Sequence, residues 1–497
     1  MRVKEFGDFQ TPLPLVKEIL STLGSVGRRW ERVLEPTCGA GNFIRGILEL
    51  ENSPREIIGI ELQDKYVEEA RRIPPRDGTR VDIIAGDIFN LDLGADIGWR
   101  NKGSLLVVGN PPWVTNSALG VLNSKNLPRK SNLKGLPGIE AITGHSNFDI
   151  AEFIWIKLIT ELRTEEDVTV ALLCKTSVAR NVLRYAKERR VKVVDASIRN
   201  IDAKRWFGAA VDACLFTIKL NRERQNYDAD VFDSLSSKSP FSRIGFIDKH
   251  LISDMPKYKE VSFIEGKTPL QWRQGIKHDA ASVMELILTE EGWRSKLGEI
   301  VDVESEYLYP LTKSSDLHTN STPPLRAVIV TQKRPGEDTR HLKVLAPRLW
   351  AYLTEHRDVF LARKSSIYKG KPAFSMFGVG DYSFVPYKVI VSGLYKEPRF
   401  IDVGPIDGKP VMCDDTCYLL PFELKEQASM VASALNHQVC QQFIKSAAFM
   451  DSKRPITKTL LARIDLRALI FYLWGEDLEL PWFSSKRESV GNLFSTR

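Results

Sequence analysis

The stretch Val33-Leu34-Glu35-Pro36-Thr37-Cys38-Gly39-Ala40-Gly41-Asn42-Phe43 decides the fold, because an apolar strand runs there into a glycine turn that opens a helix. Gly39 and Gly41 have no side chain, so the backbone at these positions can adopt positive φ and approach a ligand closely. The pattern predicts the first strand, turn and helix of an open α/β sheet, with a ligand held at the turn.

Two further apolar stretches end in acidic residues. Glu61 follows Ile57-Ile58-Gly59-Ile60, and Asp87 follows the stretch from Val81 to Ala85. Because the carboxyl ends of parallel strands meet at one edge of a sheet, we expect both carboxylates and the glycine turn to lie in one crevice. Glu61 also stands about 20 residues after the turn, where a dinucleotide-binding fold places its ribose-binding carboxylate. The set predicts a site for a nucleotide-like cofactor.

The expected cofactor contains an adenosine but no phosphates. The turn has Gly39 and Gly41 without the third glycine of the dinucleotide fingerprint, and no lysine follows that would cradle a pyrophosphate. S-Adenosylmethionine has this form. Its sulfonium makes methyl transfer a direct displacement.

The loop Asn110-Pro111-Pro112-Trp113 follows the apolar run from Leu105 to Gly109. Two prolines remove two N–H donors and fix φ, which leaves a stiff loop whose carbonyl groups are free to accept hydrogen bonds. Acceptors aimed at the N–H bonds of an aromatic amine favour the pyramidal geometry that frees the nitrogen lone pair, and the side-chain oxygen of Asn110 and the carbonyl of Pro111 could supply them. Trp113 offers a face on which a base can stack. The loop indicates methylation of an exocyclic amino group; the alternative is a strand-ending turn with a core tryptophan.

Strands and helices alternate through the first 220 residues. Beyond the stretches above, we expect helices near residues 12–23, 150–162 and 177–188, and strands near 168–173, 191–198 and 211–220. Thr11 followed by Pro12 is typical of an N-cap with proline at the first helical position. The last strand follows closely on the strand before it, which suggests an antiparallel edge. The prediction is an α/β, doubly wound, Rossmann-like sheet of seven strands, the last antiparallel.

These motifs together resemble the N6-adenine type of amino-group DNA methyltransferase, in the gamma arrangement that runs cofactor motifs, catalytic motif and target-recognition domain. The matching segments are Phe9-Gln10-Thr11-Pro12, Glu35 to Phe43, Glu61, Gly86 to Phe89, Asn110 to Trp113, Ser146-Asn147-Phe148-Asp149 and Trp206-Phe207-Gly208. The resemblance covers roughly a full domain. It implies a site-specific, adenine-specific DNA methyltransferase that uses S-adenosylmethionine and has a Rossmann-like catalytic domain. Trp113 departs from the family pattern, which usually has Tyr or Phe at this position.

The resemblance also assigns roles to individual residues. It implies that Asn110, Pro111, Pro112 and Trp113 grip and stack a target adenine that has left the helix, and that Phe207 covers the other face of the base. Thr11 and Glu35 would face the methionine end of the cofactor. The expected cofactor site consists of Thr11, Glu35, Pro36, Gly39, Gly41, Glu61 at the ribose, Asp87 at the adenine, Ile88, Phe89 and Asn110.

A chain of 497 residues is too long for one core, so two or three domains are expected. We place the catalytic domain at residues 1–235 and a mixed α+β target-recognition, DNA-binding domain at 236–497, because 233–242 is serine-rich. Strands are expected near 327–331 and 388–392, and helices near 347–357, 424–435 and 437–447. The formal net charge of +7 mildly favours an anionic partner. The bases that this domain would read cannot be derived from the sequence.

Local clusters of basic residues are the candidates for contact with DNA. They are Arg129, Lys130, Lys134, Arg363, Lys364, Lys369, Lys371, Lys453 and Arg454. Aromatic residues interleaved with the second cluster suit a surface that touches phosphates and bases, and a solvated loop flanked by core aromatics explains the same pattern. Residues 115–146 are polar and follow the catalytic loop, which suggests a clamp that orders over substrate, with a disordered solvated loop as the alternative.

The remaining expectations concern setting and partners. Six irregularly spaced cysteines indicate reduced thiols in a cytoplasm, and the close pair Cys413 and Cys417 has no second Cys or His pair near it, so no metal site is expected. No stretch has the length and hydropathy of a membrane span or a signal peptide. We expect a monomer that acts on double-stranded DNA, with a cognate restriction endonuclease encoded separately.

Several other functions stay open on the sequence. N4-cytosine methylation is the nearest, although loops of that family more often begin with Ser or Asp. Methylation of glutamine side chains in proteins, or of bases in structured RNA, shares the Asn-Pro-Pro-aromatic loop but usually needs no carboxyl-terminal domain of this size. A bifunctional restriction enzyme lacks support, because we find neither Pro-Asp followed by Glu-x-Lys nor a His-Asn-His cluster. A non-catalytic DNA-binding subunit is disfavoured by the intact Asn110 and Asp87.

Overall fold

The computed structural model describes residues 10–114, 149–220, 225–319 and 325–475. The chain divides into two compact units, Met1–Pro256 and Lys257–Arg497, called unit 1 and unit 2 below. The division falls later than the boundary predicted at residue 235. The serine-rich stretch is a turn between two strands of unit 1, and the Arg199 guanidinium fixes it by donating to the carbonyls of Leu235 at 3.2 Å and Ser237 at 2.8 Å. It therefore does not act as a linker.

The described strands of unit 1 belong to one ten-stranded sheet. They are β1 (Arg32–Glu35), β2 (Glu56–Glu61), β3 (Arg80–Ala85), β4 (Leu105–Gly109), β5 (Val168–Lys175), β6 (Val193–Ile201), β7 (Ala213–Leu220), β8 (Ala229–Phe232), β9 (Ser242–Ile247) and β10 (His250–Ile252). The helices are α1 (Leu13–Leu23), α2 (Val26–Arg29), α3 (Asn42–Leu48), α4 (Asp64–Arg71), α5 (Ile150–Glu161), α6 (Thr176–Glu188) and α7 (Ala203–Phe207), and α8 (Met255–Val261) spans the division between the units.

The sheet runs in the order β10-β9-β8-β6-β7-β5-β4-β1-β2-β3. Neighbours from β3 to β5 are parallel, whereas β7 is antiparallel to both β5 and β6. The prediction of seven strands with an antiparallel edge therefore needs correction: β8, β9 and β10 extend the sheet, and β7 lies inside it. Consecutive residues of β7 such as Cys214 and Leu215 are both buried, as expected for a strand covered on two faces.

Helix α1 ends at Leu23, as predicted, but Thr11 is not its N-cap. Pro12 occupies the cap position with φ −60° and ψ 138°, and no side chain caps the helix. Because the chain is still extended at Pro12, Thr11 lies one residue outside the helix. The side-chain amide of Asn42, at the start of α3, donates to the Thr11 carbonyl at 2.9 Å, which holds this segment against the glycine turn.

Unit 2 combines two sheets with helices. The four-stranded sheet runs β11 (Arg273–Gln274), β19 (Cys417–Phe422), β16 (Tyr387–Ser392), β17 (Phe400–Val403); the five-stranded sheet runs β13 (Gly292–Ser295), β12 (Glu285–Thr289), β15 (Arg326–Ile329), β14 (Leu308–Thr312), β18 (Met412–Cys413). The helices are α9 (Ala281–Met284), α10 (Leu342–Leu345), α11 (Pro347–Glu355), α12 (Arg357–Leu361), α13 (Lys425–Asn436), α14 (Gln438–Ala447), α15 (Lys458–Leu461) and α16 (Leu466–Trp474). None of the helices in the described ranges has the length and hydropathy required to cross a membrane.

Candidate active site

A cavity of about 1070 Å³, counted with its open mouth, lies at the carboxyl edge of the unit 1 sheet. Its lining includes most of the residues that the sequence placed at the cofactor: Thr11, Glu35, Pro36, Gly39, Glu61, Asp87, Ile88, Phe89 and Asn110. The cavity therefore brings together the ends of β1, β2, β3 and β4, as expected for an open α/β sheet.

The glycine turn requires both of its glycines. Gly39 has φ +53° and Gly41 has φ +82°, in the region that residues with a side chain rarely adopt. A Cβ on Gly39 would lie 2.6 Å from Gln10 Oε1, and one on Gly41 would lie 2.5 Å from Ile73 Cδ1. Gly41 packs against Ile73 and is not among the residues that line the cavity. Its contact with cofactor stays a prediction.

Glu61 fixes the turn through backbone hydrogen bonds. Its Oε2 accepts from the Gly39 N–H at 2.9 Å, and its Oε1 accepts from the Gln63 N–H at 2.8 Å. The Oε1 of Gln10 likewise accepts from the Ala40 N–H at 3.0 Å. Each carboxylate oxygen has two lone pairs, so Glu61 can hold the turn and still accept from a ligand hydroxyl.

Glu35 is a buried carboxyl at the wall of the cavity, only 3% exposed. Burial raises its pKa well above the ordinary value, the Ile44 N–H works against that rise, and the charge of Glu61 adds to it. Within the described residues, Glu35 Oε2 and the Thr37 hydroxyl have no hydrogen-bond partner, and both residues line the cavity. Both groups can therefore form hydrogen bonds with a ligand in the cavity.

The end of β3 is held by Asp87. Its Oδ1 accepts from the Phe89 N–H at 3.0 Å and caps the short helical turn Ile88–Asn90. Ile88 is buried and Phe89 is half-buried beside it. The arrangement places an acidic group and apolar side chains on one wall of the cavity, a suitable environment for a flat ring that carries an amino group.

The loop after β4 forms another part of the wall. Asn110 and Pro112 line the cavity, whereas Pro111 is buried. Trp113 is 8% exposed, and its indole N–H donates to the Leu173 carbonyl at 3.3 Å. Trp113 is not among the residues that line the cavity, so its face is not presented to the cofactor side of the site.

Trp113 and Phe207 do come together, although not in the geometry that the sequence suggested. Their ring centroids are 5.2 Å apart and the ring planes make an angle of 73°, which is an edge-to-face contact. Two rings that sandwich a base must stand about 7 Å apart, twice the normal contact distance of stacked carbon atoms. A base therefore cannot lie between Trp113 and Phe207 until one of the rings moves.

Sequence reasoning missed Lys175, which holds the loop after Trp113. The Lys175 Nζ donates to the Trp113 carbonyl at 3.1 Å and to Asp149 Oδ2 at 2.7 Å. The sequence signal for Lys175 is a cation at the carboxyl end of a buried strand. The strand was predicted to end at Leu173, whereas β5 extends to Lys175, so this residue was not placed at the strand end.

The basic clusters are distributed differently from the prediction. Arg129, Lys130 and Lys134, and the proposed clamp at 115–146, lie outside the described residues. Lys364, Lys369, Lys371 and Lys453 are exposed. The Arg363 guanidinium instead lies over the Tyr368 ring, 3.7 Å from its centroid, and donates to the carbonyls of His278 at 3.1 Å and Ser375 at 2.7 Å. Arg363 is thus engaged within unit 2.

Two of the interleaved aromatics, Phe374 and Phe384, pack inward. Phe374 is 3% exposed and contacts Trp350 and Phe360 edge to face, with centroid distances of 5.3 and 4.9 Å. Phe384 packs in the same way on Tyr309 at 5.6 Å. Core packing explains both residues, and they do not form a stacking surface for bases.

The cavity lies beside an Asn-Pro-Pro-Trp loop at the carboxyl edge of an open α/β sheet. No family model matches the chain. The chain is 41% identical over 469 residues to the Type II methyltransferase M.NspV of Nostoc sp. (strain ATCC 29411 / PCC 7524), a match that covers 94% of this chain and 97% of the relative. The chain belongs to the Type II methyltransferase family.

Two further similarities are narrower. A stretch of 109 residues is 32% identical to the Type II methyltransferase M.CvrRI of Paramecium bursaria Chlorella virus XZ-6E, covering 22% of this chain and 25% of that one. The solved structure of the Type IIL restriction-modification enzyme MmeI in complex with DNA matches with a TM-score of 0.51 at 14% identity, covering 94% of this chain and 74% of that chain. At this identity the match shows a shared fold, and it extends over both units.

Proposed function

We propose that this protein transfers the methyl group of S-adenosylmethionine to N6 of an adenine in double-stranded DNA, as the modification enzyme of a restriction-modification system. The observation that carries the proposal is the presence of Asn110 and Pro112 on the wall of the same cavity as Glu61 and Asp87. An amine held by the loop would then lie beside a cofactor held by the two carboxylates.

The lining residues fit S-adenosylmethionine. Glu61 would accept from the ribose hydroxyls and Asp87 from the adenine amino group, with Ile88 and Phe89 against the ring. The unpartnered oxygens of Glu35 and Thr37 would accept from the ammonium group of the methionine part, with Thr11 beside them. The bound cofactor supplies an electrophilic methyl group on a sulfonium.

Residues of the loop would prepare the nucleophile. The side-chain oxygen of Asn110 and the carbonyl of Pro111 would accept from the two amino hydrogens, which favours the pyramidal nitrogen. Because prolines follow Asn110 and the loop is anchored at Trp113, these acceptors need little reorganisation when the base arrives. The base must leave the helix to reach them, since in the duplex its amino group is engaged in pairing. We propose that the Phe207 ring moves off Trp113 to admit it.

The proposal of DNA as substrate is supported by the family and by the fold shared with MmeI, whose structure is a complex with DNA. The expected partner is double-stranded DNA, and a separately encoded endonuclease would cut the same site in its unmethylated form. In this proposal unit 1 carries the catalysis and unit 2 the recognition of the target sequence.

Unit 2 displays a set of polar side chains around Asp415. Gln274 Nε2 and Arg454 Nη1 donate to the Asp415 carbonyl at 2.7 and 3.2 Å. Lys277 Nζ lies 2.9 Å from Asp279 Oδ1 and 3.5 Å from Asp415 Oδ2. These contacts fix the position of Asp415 and of the side chains around it.

The Asp415 surface is the name used below for Gln274, Lys277, Asp279, Asp415 and Arg454, together with the exposed Arg273 next to Gln274 on β11. The Arg273 guanidinium lies 5.0 Å from the centroid of the Tyr382 ring. Arginine pairs with guanine and glutamine with adenine in bidentate fashion. We propose that unit 2 contacts bases through the exposed Arg273 of the Asp415 surface.

N4-methylation of cytosine is the second candidate, because the two acceptors of the loop would serve either amine. Incubation with labelled S-adenosylmethionine and plasmid DNA, RNA or protein extract, followed by digestion to nucleosides or peptides and mass spectrometry, separates the candidates. N6-methyladenine in DNA is the expected product. N4-methylcytosine would establish the second candidate, and label confined to RNA or protein would overturn the assignment to DNA.

A further inference from the structure

Trp113 and Val114, which follow the two prolines, form hydrogen bonds with two neighbouring elements, β5 and α5. Lys175, the last residue of β5, donates to the Trp113 carbonyl at 3.1 Å, and the Trp113 indole N–H donates to the Leu173 carbonyl at 3.3 Å. The N–H of Ile150, the first residue of α5, donates to the Val114 carbonyl at 3.0 Å. The loop is therefore fixed by β4 on one side and by β5 and α5 on the other.

Asp149 connects β5 with α5. Its Oδ2 accepts from Lys175 Nζ at 2.7 Å, and its Oδ1 accepts from the Ala151 N–H at 3.1 Å, which caps α5. Its side chain is 9% exposed and that of Lys175 is 23% exposed. Hydrogen bonds between charged groups that are shielded from water are among the stronger ones in proteins. The pair thus forms a firm link between β5, α5 and the loop.

We propose that Lys175 and Asp149 are positioning residues that set the orientation of the acceptors at Asn110 and Pro111. The inference rests on the proposed function, in which those acceptors hold the amine. Prolines at 111 and 112 have no N–H with which the loop could anchor itself, so its orientation depends on contacts further along the chain. The ammonium of Lys175 supplies one of them directly at the carbonyl of Trp113, one residue beyond the prolines.

The effect of losing this contact follows from the demands of the reaction. A displacement of about 1 Å at a reacting group can cost on the order of 10²-fold in rate. Lys175→Met keeps most of the apolar stem and removes the ammonium. We expect the single-turnover rate of methyl transfer to fall by roughly 10- to 100-fold, with the affinity for S-adenosylmethionine within twofold of wild type.

The chain offers a matched control. Lys157, on α5, is also a buried lysine, 5% exposed at its side chain, and forms an ion pair with Glu161. Lys157→Met removes a buried cation from the same unit but from a residue outside the loop contacts. It should lower stability while leaving the rate of methyl transfer within about twofold of wild type. Lys175→Arg retains a cation at position 175 and should recover part of the rate lost in Lys175→Met.

A double-mutant cycle tests whether Lys175 acts through the loop. If it does, Lys175→Met should lower the rate by a clearly smaller factor in an Asn110→Ala background than in wild type, because one of the two acceptors that it positions is already gone. Multiplicative effects of the two substitutions would overturn the proposal. So would an unchanged rate in Lys175→Met when Asn110→Ala is strongly impaired.

Hydrogen exchange measured on the full chain tests the loop without any substrate. Peptides that contain the amides of Asn110, Trp113 and Val114 should exchange faster in Lys175→Met than in wild type and in Lys157→Met. Equal exchange in all three proteins would overturn the proposal. If wild type transfers no methyl group to DNA but the loop exchanges faster in Lys175→Met, the proposed function fails while the anchoring by Lys175 stands.

Discussion

The two halves of the candidate site are built in different ways. The cofactor half, at the ends of β1, β2 and β3, is shaped by backbone: Gly39 and Gly41 have positive φ, and Glu61 accepts from main-chain N–H groups. The target half, the loop 110–114 with the ends of β5 and α7, is assembled by side chains from remote segments. Trp113 meets Leu173 and Lys175 at sequence separations of 60 and 62 residues. The cofactor half can be recognised from local sequence, whereas the target half becomes visible only after folding.

The largest expected effect lies in the target half. Asn110→Ala removes an acceptor that is proposed to act only as the amine reacts, so methyl transfer should fall by about 10³-fold or more. Single-turnover assays with saturating cofactor and DNA measure the rate, and calorimetry should show cofactor affinity close to that of wild type. A rate within tenfold of wild type would remove Asn110 from the reaction.

A pair of glycines tests the cofactor half. Gly41 and Gly78 both have φ +82°, but a Cβ on Gly41 would lie 2.5 Å from Ile73 Cδ1, whereas no atom lies within 4 Å of a Cβ on Gly78. Gly78→Ala should cost about 1 kcal/mol of stability from backbone strain alone. Gly41→Ala should lose roughly 1 kcal/mol more, because the Ile73 Cδ1 methyl has to move, and should weaken cofactor binding.

Thermal unfolding and calorimetry of the two alanine variants give the comparison directly. Equal losses of stability, with cofactor affinity unchanged in both, would show that the close packing at Gly41 does not support the cavity.

The Asp415 surface extends the comparison to unit 2. Arg273→Ala should relax the sequence selectivity of methylation by about tenfold at one base pair, because a bidentate contact contributes roughly 1–3 kcal/mol of discrimination. Arg340, an exposed arginine of unit 2 that is paired with Asp338, serves as the matched control. Sequencing of methylated sites from a randomised DNA pool checks both variants; the same selectivity in Arg273→Ala as in wild type would exclude this residue from base reading.

A smaller effect is expected at Phe207, which contacts Trp113 at 5.2 Å and has to move if a base is to enter. With 2-aminopurine at the methylated position, binding to wild type should change the probe fluorescence strongly, since the base leaves the stack. Phe207→Ala should alter that signal and change methylation by a fewfold. An identical signal together with normal methylation would show that Phe207 takes no part in holding the base.

Sequence patterns could predict that the residues of the cofactor half meet at one edge of the sheet, because the constraints on them are local. A glycine turn, a carboxylate after β2 and another after β3 follow strands whose ends must meet at one edge, and Glu35, Glu61 and Asp87 do line one cavity. Gly41 is the exception within this half. Its positive φ was expected, but its packing on Ile73 depends on α4, which a local pattern cannot place.

The target half and unit 2 were harder to predict because their contacts join distant segments. The edge-to-face pair of Trp113 and Phe207 depends on how α7 packs, and the anchor at Lys175 depends on the exact end of β5. In unit 2, aromatic and basic residues that alternate along the chain point into the core and towards carbonyls, as Phe374 and Arg363 do. Composition alone cannot separate these arrangements from a nucleic-acid surface.

The most direct test of the central claim, that the cavity at the edge of the unit 1 sheet holds S-adenosylmethionine, is a calorimetric titration of that cofactor into wild type, Glu61→Ala and Asp87→Ala. We expect one site in wild type and an affinity lower by about tenfold or more in each variant, as for the loss of a hydrogen bond to a charged group. DNA binding measured without cofactor should stay similar in all three. Unaltered cofactor affinity in both variants would contradict the account and place the cofactor elsewhere.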